Sequence, residues 1–242
     1  MANSFRPCAV IPVYNHGRPL VEVVRQLRDL DLPCVLVDDA SDAQTAAIMD
    51  ELAQQEQVFL LRHTQNQGKG GAVKSGMQHA LECGFSHALQ VDADGQHDLQ
   101  QVEKFIEHAR QAPQSMICAY PKYDASVPKN RLYARYFTHA WVWIHTLSFA
   151  IRDSMCGFRV YPLAEVMSVI KDSRIGNYMD FDTEILVRLF WRELPMQWYP
   201  VRVIYPEDGL SNFRPWRDNW LITKMHTRLF FGMLLRLPRL LW

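Results

Sequence analysis

The chain has 242 residues, 48% of them hydrophobic, which suits one large domain with a sizeable core. Lys+Arg and Asp+Glu both total 26, so the net charge is zero and nucleic acid is not an expected partner. The 5 cysteines are odd in number and lack Cys-x-x-Cys spacing, which argues against a disulfide framework and for small core residues in a reducing compartment.

In chain order, residues 8–14 (CAVIPVY) form an apolar, β-branched run that reads as a buried parallel strand. The N-terminus runs straight into it, with no apolar signal region. After a turn at 15–19, Leu20, Val23, Val24 and Leu27 recur at helical spacing. Residues 34–37 are a second strand, running into Asp38 and Asp39. Ser41 and Gln44 have capping-box spacing for a helix with Ile48 and Leu52 inward. Residues 58–61 read as a third strand. Gly68, Gly70 and Gly71 open a helix with Val73, Met77, Ala80 and Leu81 on one face. Residues 88–91 are a fourth strand. Asp98, with Gln101, caps a helix carrying Val102, Phe105, Ile106 and Ala109, and 115–120 is a fifth strand. This alternation predicts an α/β fold with a parallel sheet, and ligands at the carboxyl ends of its strands.

Three polar clusters fall at those ends, Tyr14–Asn15, Asp38–Asp39 and Asp92–Gln96, and the loop 66–71 joins a strand to a helix on the same edge. In residues 87–98 (HALQVDADGQHD), Asp92 and Asp94 would share a face if the strand continued through them. Two carboxylates there repel, and a hard divalent cation, Mg2+ or Mn2+, would remove that cost. Gln96 offers a third oxygen, and open positions would take waters and substrate phosphates. His97 reads as a loop histidine. Asp38 and Asp39 could accept from a base N–H or ribose hydroxyls, or cap a turn. The loop 66–71 (NQGKGG) offers free amides at a helix N-terminus, with Lys69 as a phosphate contact or a solvated loop lysine. The first turn, PVYNHGRPL, lacks the G-x-G-x-x-G of a dinucleotide site, and the spacing around Lys69 fails the Walker pattern.

Taken in order, VIPVYNHG, VDDAS, NQGKGGAVKSGM and QVDADGQHD resemble a family 2 glycosyltransferase of the GT-A fold, most of all the polyprenyl (dolichyl) phosphate mannose or glucose synthases. The resemblance is tight over residues 8–98 and continues in 153–159 (DSMCGFR), 181–186 (FDTEIL) and 209–211 (GLS). It implies a Rossmann-like mixed, mainly parallel sheet flanked by helices over residues 1–212, with a C-terminal amphipathic helical segment at 213–242. It further implies a UDP-, GDP- or dTDP-sugar donor and inversion at the anomeric carbon. Asp39, beside Asp38, would contact base or ribose in a pocket lined by Pro12, Tyr14 and Asn15. Asp92, Asp94 and Gln96 would hold the metal, and Gly68, Lys69 and Gly70 would lie beside the nucleotide-sugar. The cation and Lys69 would stabilise charge on the leaving diphosphate. A polyprenyl phosphate acceptor needs cations, for which Lys129, Arg131 and Arg135 are candidates with Arg159 as a further clamp. A hydroxyl acceptor would need a base, from Asp180, Asp182 or Glu184. Asp182 is favoured as a structural or sugar-contacting carboxylate, with a helix N-cap the alternative. The chain departs from the subgroup in lacking transmembrane helices after the catalytic region, and in having Asn212 and Phe213 after Ser211, where Gly-x-Ser-Lys is common.

Residues 129–152 carry four cations, no acid, and several aromatics, and 216–242 combine Trp216, Trp220, Phe230 and Phe231 with five cations. Such segments suit a membrane interface, placing the protein at the cytoplasmic face as a peripheral protein, or they pack on the core with snorkelling arginines. Pro238 is expected to end the last helix before a span forms. A non-catalytic nucleotide-binding module is a further reading, but its expected mark, missing site carboxylates, is not found.

Overall fold

The computed structural model describes residues 4–122, 129–202 and 214–240, apart from the side chains of 129–134 and 239. Its elements are β1 (Pro7–Val13), α1 (Gly17–Asp29), β2 (Cys34–Asp38), α2 (Ala43–Leu52), β3 (Val58–Arg62), α3 (Lys69–Glu82), β4 (His87–Gln90), α4 (Val102–Gln111), β5 (Met116–Pro121), α5 (Lys129–Thr146), β6 (Arg159–Pro162), α6 (Leu163–Asp172), α7 (Phe181–Trp191), β7 (Met196–Val201), α8 (Pro215–Leu234) and α9 (Leu237–Leu240). A 7-stranded sheet runs β3-β2-β1-β4-β6-β5-β7, and β6 alone is antiparallel to its neighbours.

The five expected strands are all present within a residue or so of their expected ends. Two further strands were not foreseen. β6 (RVYP) and β7 (MQWYPV) mix polar residues with proline and lack an apolar run. Tertiary burial overrides that weak local signal: Arg159 and Tyr161 of β6 are fully buried. The sheet carries a core on each face. Val23 and Leu27 of α1, Met49 of α2 and Phe105 of α4 belong to one. Val73 and Met77 of α3, Ile185 of α7 and Leu229 of α8 belong to the other.

Caps shift by small steps from their expected places. Asp42, not Ser41, caps α2, with its Oδ1 accepting from Thr45 N at 2.7 Å. Ser41 N instead donates to Asp38 Oδ1 at 2.8 Å. Asp98 caps as expected, accepting from Gln100 N at 3.2 Å at a short 3-10 turn that leads into α4. Asp180 stands at the N-cap position of α7, so Asp182 lies inside the first turn and is not the cap.

The C-terminal helix is part of the fold. α8 buries Met225, His226, Leu229 and Met233. It ends at Leu234, and Pro238 sits in α9 rather than terminating α8. No helix among the described residues is long and apolar enough to cross a membrane. Two buried polar contacts fasten α8. Arg228 reaches Glu184 of α7, its Nη2 donating to Oε2 at 2.5 Å, and Glu184 also accepts from Arg188 Nε at 2.9 Å and Gly176 N at 2.9 Å. Glu184 is fully buried by these partners, which removes it from the candidate bases.

The second fastening is a histidine pair: His145 Nε2 of α5 lies 3.0 Å from His226 Nδ1. One ring donates and the other accepts, so protonating both would set two N–H groups face to face. Burial, reinforced for His145 by its partner's charge, pushes both down to about 4. A depressed histidine pKa means that the unfolded chain takes up protons the folded one refuses. The pair's contribution is therefore complete above about pH 6.5 and falls away as pH drops toward 4. Denaturant unfolding of His226→Phe between pH 7 and pH 4.5 is expected to show a shallower loss of stability with acid than the parent protein; an equal slope would remove this role.

Candidate active site

From β1 the sheet steps outward to β2 and β3, and from β4 it steps the other way. Such a reversal opens a crevice beyond the carboxyl ends of the two central strands. β4 ends at Gln90, and the chain then turns, with Gly95 at φ +71°. Asp92 and Asp94 therefore sit on a turn and not, as expected, on one face of a strand. Asp94 Oδ1 accepts from Gln96 N at 3.0 Å, closing that turn.

Lys69, the first residue of α3, reaches across to it. Its Nζ lies 2.8 Å from Asp92 Oδ1 and 2.9 Å from Asp92 Oδ2. The same atom lies 3.1 Å from Asp182 Oδ2 on α7. Burial works against the ammonium, but the Asp182 and Asp92 carboxylates outweigh it and hold Lys69 above the usual lysine range. Burial likewise opposes the Asp92 charge, and Lys69 with His97 outweighs it, pulling that carboxyl well below the usual range. His97 Nε2 stands 3.3 Å from Asp92 Oδ2, so it is part of the site and more than a loop residue.

A buried polar chain supports Asp182 from below. Gln90 Nε2 donates to Asp182 Oδ1 at 3.0 Å, and Tyr161 Oη donates to Gln90 Oε1 at 3.0 Å. Arg159 Nη1 donates to the Asp182 carbonyl at 2.8 Å, and Nη2 to the Ser154 carbonyl at 2.9 Å. Arg159 is fully buried, so it is not the open phosphate clamp that was expected; it positions the first turn of α7. Gly157 closes the other side: a Cβ there would lie 2.8 Å from Gln90 Nε2 and 3.1 Å from Lys69 Nζ. Gln90, Tyr161 and Gly157 were not singled out in the sequence. A glutamine inside an apolar strand was the one available signal.

The glycine-rich loop is approached closely, but by the protein itself. A Cβ on Gly70 would collide with Phe181, and one on Gly68, at φ +85°, with Tyr178. Gly71 N donates to the Asn177 carbonyl at 2.9 Å. Asp39 gathers the loop from the other side: Oδ1 accepts from Gln67 N at 2.7 Å, and Oδ2 from Gly68 N at 2.8 Å. His63 Nδ1 adds a 2.8 Å contact to Oδ1. Asp38 is equally engaged, by Arg62 Nε at 2.8 Å and by Ser41 N. Both carboxylates are buried and hold the crevice wall. Pro12 and Tyr14 are half-buried at the end of β1, and Asn15 is exposed, its Oδ1 accepting from Asp42 N at 2.8 Å.

Among the cations expected to face an acceptor, Arg135 makes a two-pronged pair with buried Asp153, Nε to Oδ2 at 2.6 Å and Nη2 to Oδ1 at 2.8 Å. Lys129 and Arg131 lie on α5, but their side chains fall outside the described residues. Asp180 is turned onto Gly176 and Tyr178, accepting from Tyr178 N at 3.0 Å, and burial raises its carboxyl.

A family model described as Glycosyl transferase family 2 matches residues 8–169. The chain belongs to this family. Relatives of the chain include an uncharacterized protein of Methanocaldococcus jannaschii, 26% identical, covering 84% of this chain and 90% of the relative. A UDP-N-acetylglucosamine–dolichyl-phosphate N-acetylglucosaminyltransferase of Methanococcus voltae is 24% identical, covering 84% of this chain and 87% of the relative. A dolichyl-phosphate beta-glucosyltransferase of Saccharomyces cerevisiae is 27% identical over 79% of this chain and 66% of its own length. Among solved structures, glucosyl-3-phosphoglycerate synthase from Mycobacterium tuberculosis superposes with a TM-score of 0.67 at 12% identity, over 95% of this chain and 80% of that one. The fold is thus of the GT-A type, and the protein is a glycosyltransferase.

Because Gly70 abuts Phe181, which opens the helix carrying Asp182, Gly70→Ala must push α7 and α3 apart. It is expected to cost about 1–3 kcal/mol, the range for overpacked sites, read as a lower urea midpoint. An unchanged midpoint would show that the contact is slack.

Proposed function

We propose that this family 2 enzyme transfers a sugar, with inversion, from a nucleoside-diphosphate donor to a polyprenyl-phosphate-like acceptor presented at a membrane surface. The observation that carries the reading is the Lys69 ammonium, held at the strand-order crevice between Asp92 and Asp182. A fixed cation beside a turn of oxygen donors is what a departing diphosphate requires.

A divalent cation, Mg2+ or Mn2+, fits the chemistry of that turn. Asp92, Asp94 and Gln96 are all half-buried, hard oxygen donors within five residues. No cluster of three or more His, Cys, Asp or Glu ligands is present among the described residues, so part of the coordination would fall to Gln96, water and the donor's phosphates. Bound there, the cation would neutralise charge on the leaving diphosphate. The residues of the chain do the rest. Lys69 holds charge at the leaving group, Asp182 with Gln90 and Arg159 keeps Lys69 aimed, and Asp39 shapes the wall against which Pro12, Tyr14 and Asn15 would take base and ribose.

The state of Asp182 favours an anionic acceptor. Both of its oxygens already accept, from Gln90 Nε2 at 3.0 Å and from Lys69 Nζ at 3.1 Å, which leaves it badly placed to take a proton. A phosphate acceptor arrives deprotonated and needs no base. The names of the dolichyl-phosphate relatives agree with this, and the donor base and sugar are set by pocket shape. Surface composition supports peripheral docking at the cytoplasmic face. Trp216 and Trp220 of α8 are 94% and 59% exposed and stand among Arg214, Arg217 and Lys224. Each cation near an anionic leaflet would contribute on the order of 1 kcal/mol.

Thermal-shift screening of UDP-, GDP- and dTDP-sugars with Mn2+ is expected to single out one donor by a raised midpoint. Asp94→Ala should abolish that shift and lower donor turnover by on the order of 100-fold or more. Full activity in this variant would remove the cation from the reading. Co-sedimentation with anionic liposomes at low salt is expected to recover the protein, and to fail at high salt. No binding at any salt would shift the choice to a soluble hydroxyl acceptor.

A further inference from the structure

We propose that Lys69 is the resting counter-ion of the donor site, which a divalent cation must displace from Asp92, so that metal entry exchanges one cation for another. The proposal deepens the reading above and rests on its divalent cation.

Three observations lead there. First, Lys69 Nζ contacts both oxygens of Asp92, at 2.8 and 2.9 Å, and so lies across the oxygens a metal would use. Second, its position is enforced: Asp182 Oδ2 holds it at 3.1 Å, and the space toward Gly157 is so small that an added Cβ would lie 3.1 Å away. Third, Asp94 is outside this bracket, engaged with the Gln96 amide at 3.0 Å. With Arg159 Nη1 3.9 Å from Asp182 Oδ1, the bracket of Asp92, Asp182, Lys69 and Arg159 is balanced, and Asp94 beside it supplies the negative charge that draws a further cation. Because Nζ spans both Asp92 oxygens, a metal that took either one would sit beside the ammonium and be repelled by it, so the two compete for this carboxylate.

When a metal takes Asp92, Lys69 stays tethered through Asp182 but loses half of its anionic surroundings. The diphosphate of the donor is the anion that replaces them. Metal alone therefore binds weakly, because displaced Lys69 has no new partner, whereas metal and nucleoside diphosphate bind with positive coupling. By linkage each raises the affinity of the other by the same factor.

The test is Mn2+ binding, followed by the free-ion electron paramagnetic resonance signal, with Mn2+ alone and with UDP or GDP. Lys69→Gln is expected to bind Mn2+ alone roughly tenfold tighter than the parent protein, within the coupling that neighbouring groups show. With nucleoside diphosphate present the advantage should disappear, since the variant has no ammonium to offer the phosphates. Asp182→Asn, which leaves Lys69 wholly to Asp92, should bind Mn2+ more weakly. These opposite signs cannot come from a general loss of structure. In EDTA, Lys69→Gln should melt below the parent, and Mn2+ should close that gap. Equal or weaker Mn2+ binding by Lys69→Gln, with binding by the parent intact, overturns the exchange and leaves the cation reading standing. No Mn2+ binding by the parent, with or without nucleotide, overturns both.

Discussion

One ammonium joins three segments that are distant in sequence. Lys69 opens α3, Asp92 follows β4, and Asp182 lies in the first turn of α7, yet all three meet within 3.1 Å of Lys69 Nζ. Placing a lysine where its side chain is only 20% exposed carries a desolvation cost, which two carboxylates offset. Removing Lys69 would leave two carboxylates facing each other, and removing either carboxylate would leave the ammonium with half of its offset. The bracket thus ties the two halves of the sheet together at its carboxyl edge, and it concentrates charge where a nucleotide-sugar would bring more.

The rest of the edge is built to keep that lysine in place. Asp39 draws the 67–68 amides inward, and the glycines of the loop let the 177–181 segment close down on it. Lys74, one turn further along α3, donates to the Ile175 carbonyl at 2.9 Å and to the Gly176 carbonyl at 3.2 Å. The loop that sequence patterning reads as a phosphate cradle is therefore first a joint between α3 and α7. Its glycines are needed because protein backbone and aromatic rings come that close, whatever else the loop binds.

Residues 8–98 disclosed much of this in sequence, because each strand there is an apolar run ended by polar residues and the helices carry apolar residues at helical spacing. The positions of Asp39 and Asp92 just past strand ends, and of Lys69 where a helix opens, follow from that alone. The second half was harder to read. β6 hides a fully buried arginine and tyrosine, so its composition carries no strand signal, and Arg159 reads in sequence as a further phosphate clamp. Nothing local distinguishes it from an exposed arginine; only the sheet order, which inserts β6 between β4 and β5, buries it. The pairing of Lys69 with Asp182 was equally invisible, since a contact across more than a hundred residues leaves no periodicity. The face shared by Asp92 and Asp94 failed for a simpler reason: the strand stops at Gln90.

The tail shows why two sequence readings need not compete. Aromatic and basic residues in 216–242 fitted a membrane-interface helix or a helix packed on the core. In α8 the two demands fall on different faces. Met225, His226, Leu229 and Met233 bind it to the body, with Arg228 clasping Glu184, while Trp216, Trp220 and Phe231 point outward. Arg217 then lies over the Tyr178 ring at 3.9 Å, and Tyr178 in turn covers Gly68. The outward face is therefore two contacts away from the turn that carries Lys69. A helix anchored this firmly cannot serve as a flexible tether, so a surface that engaged its aromatics would orient the whole crevice with it.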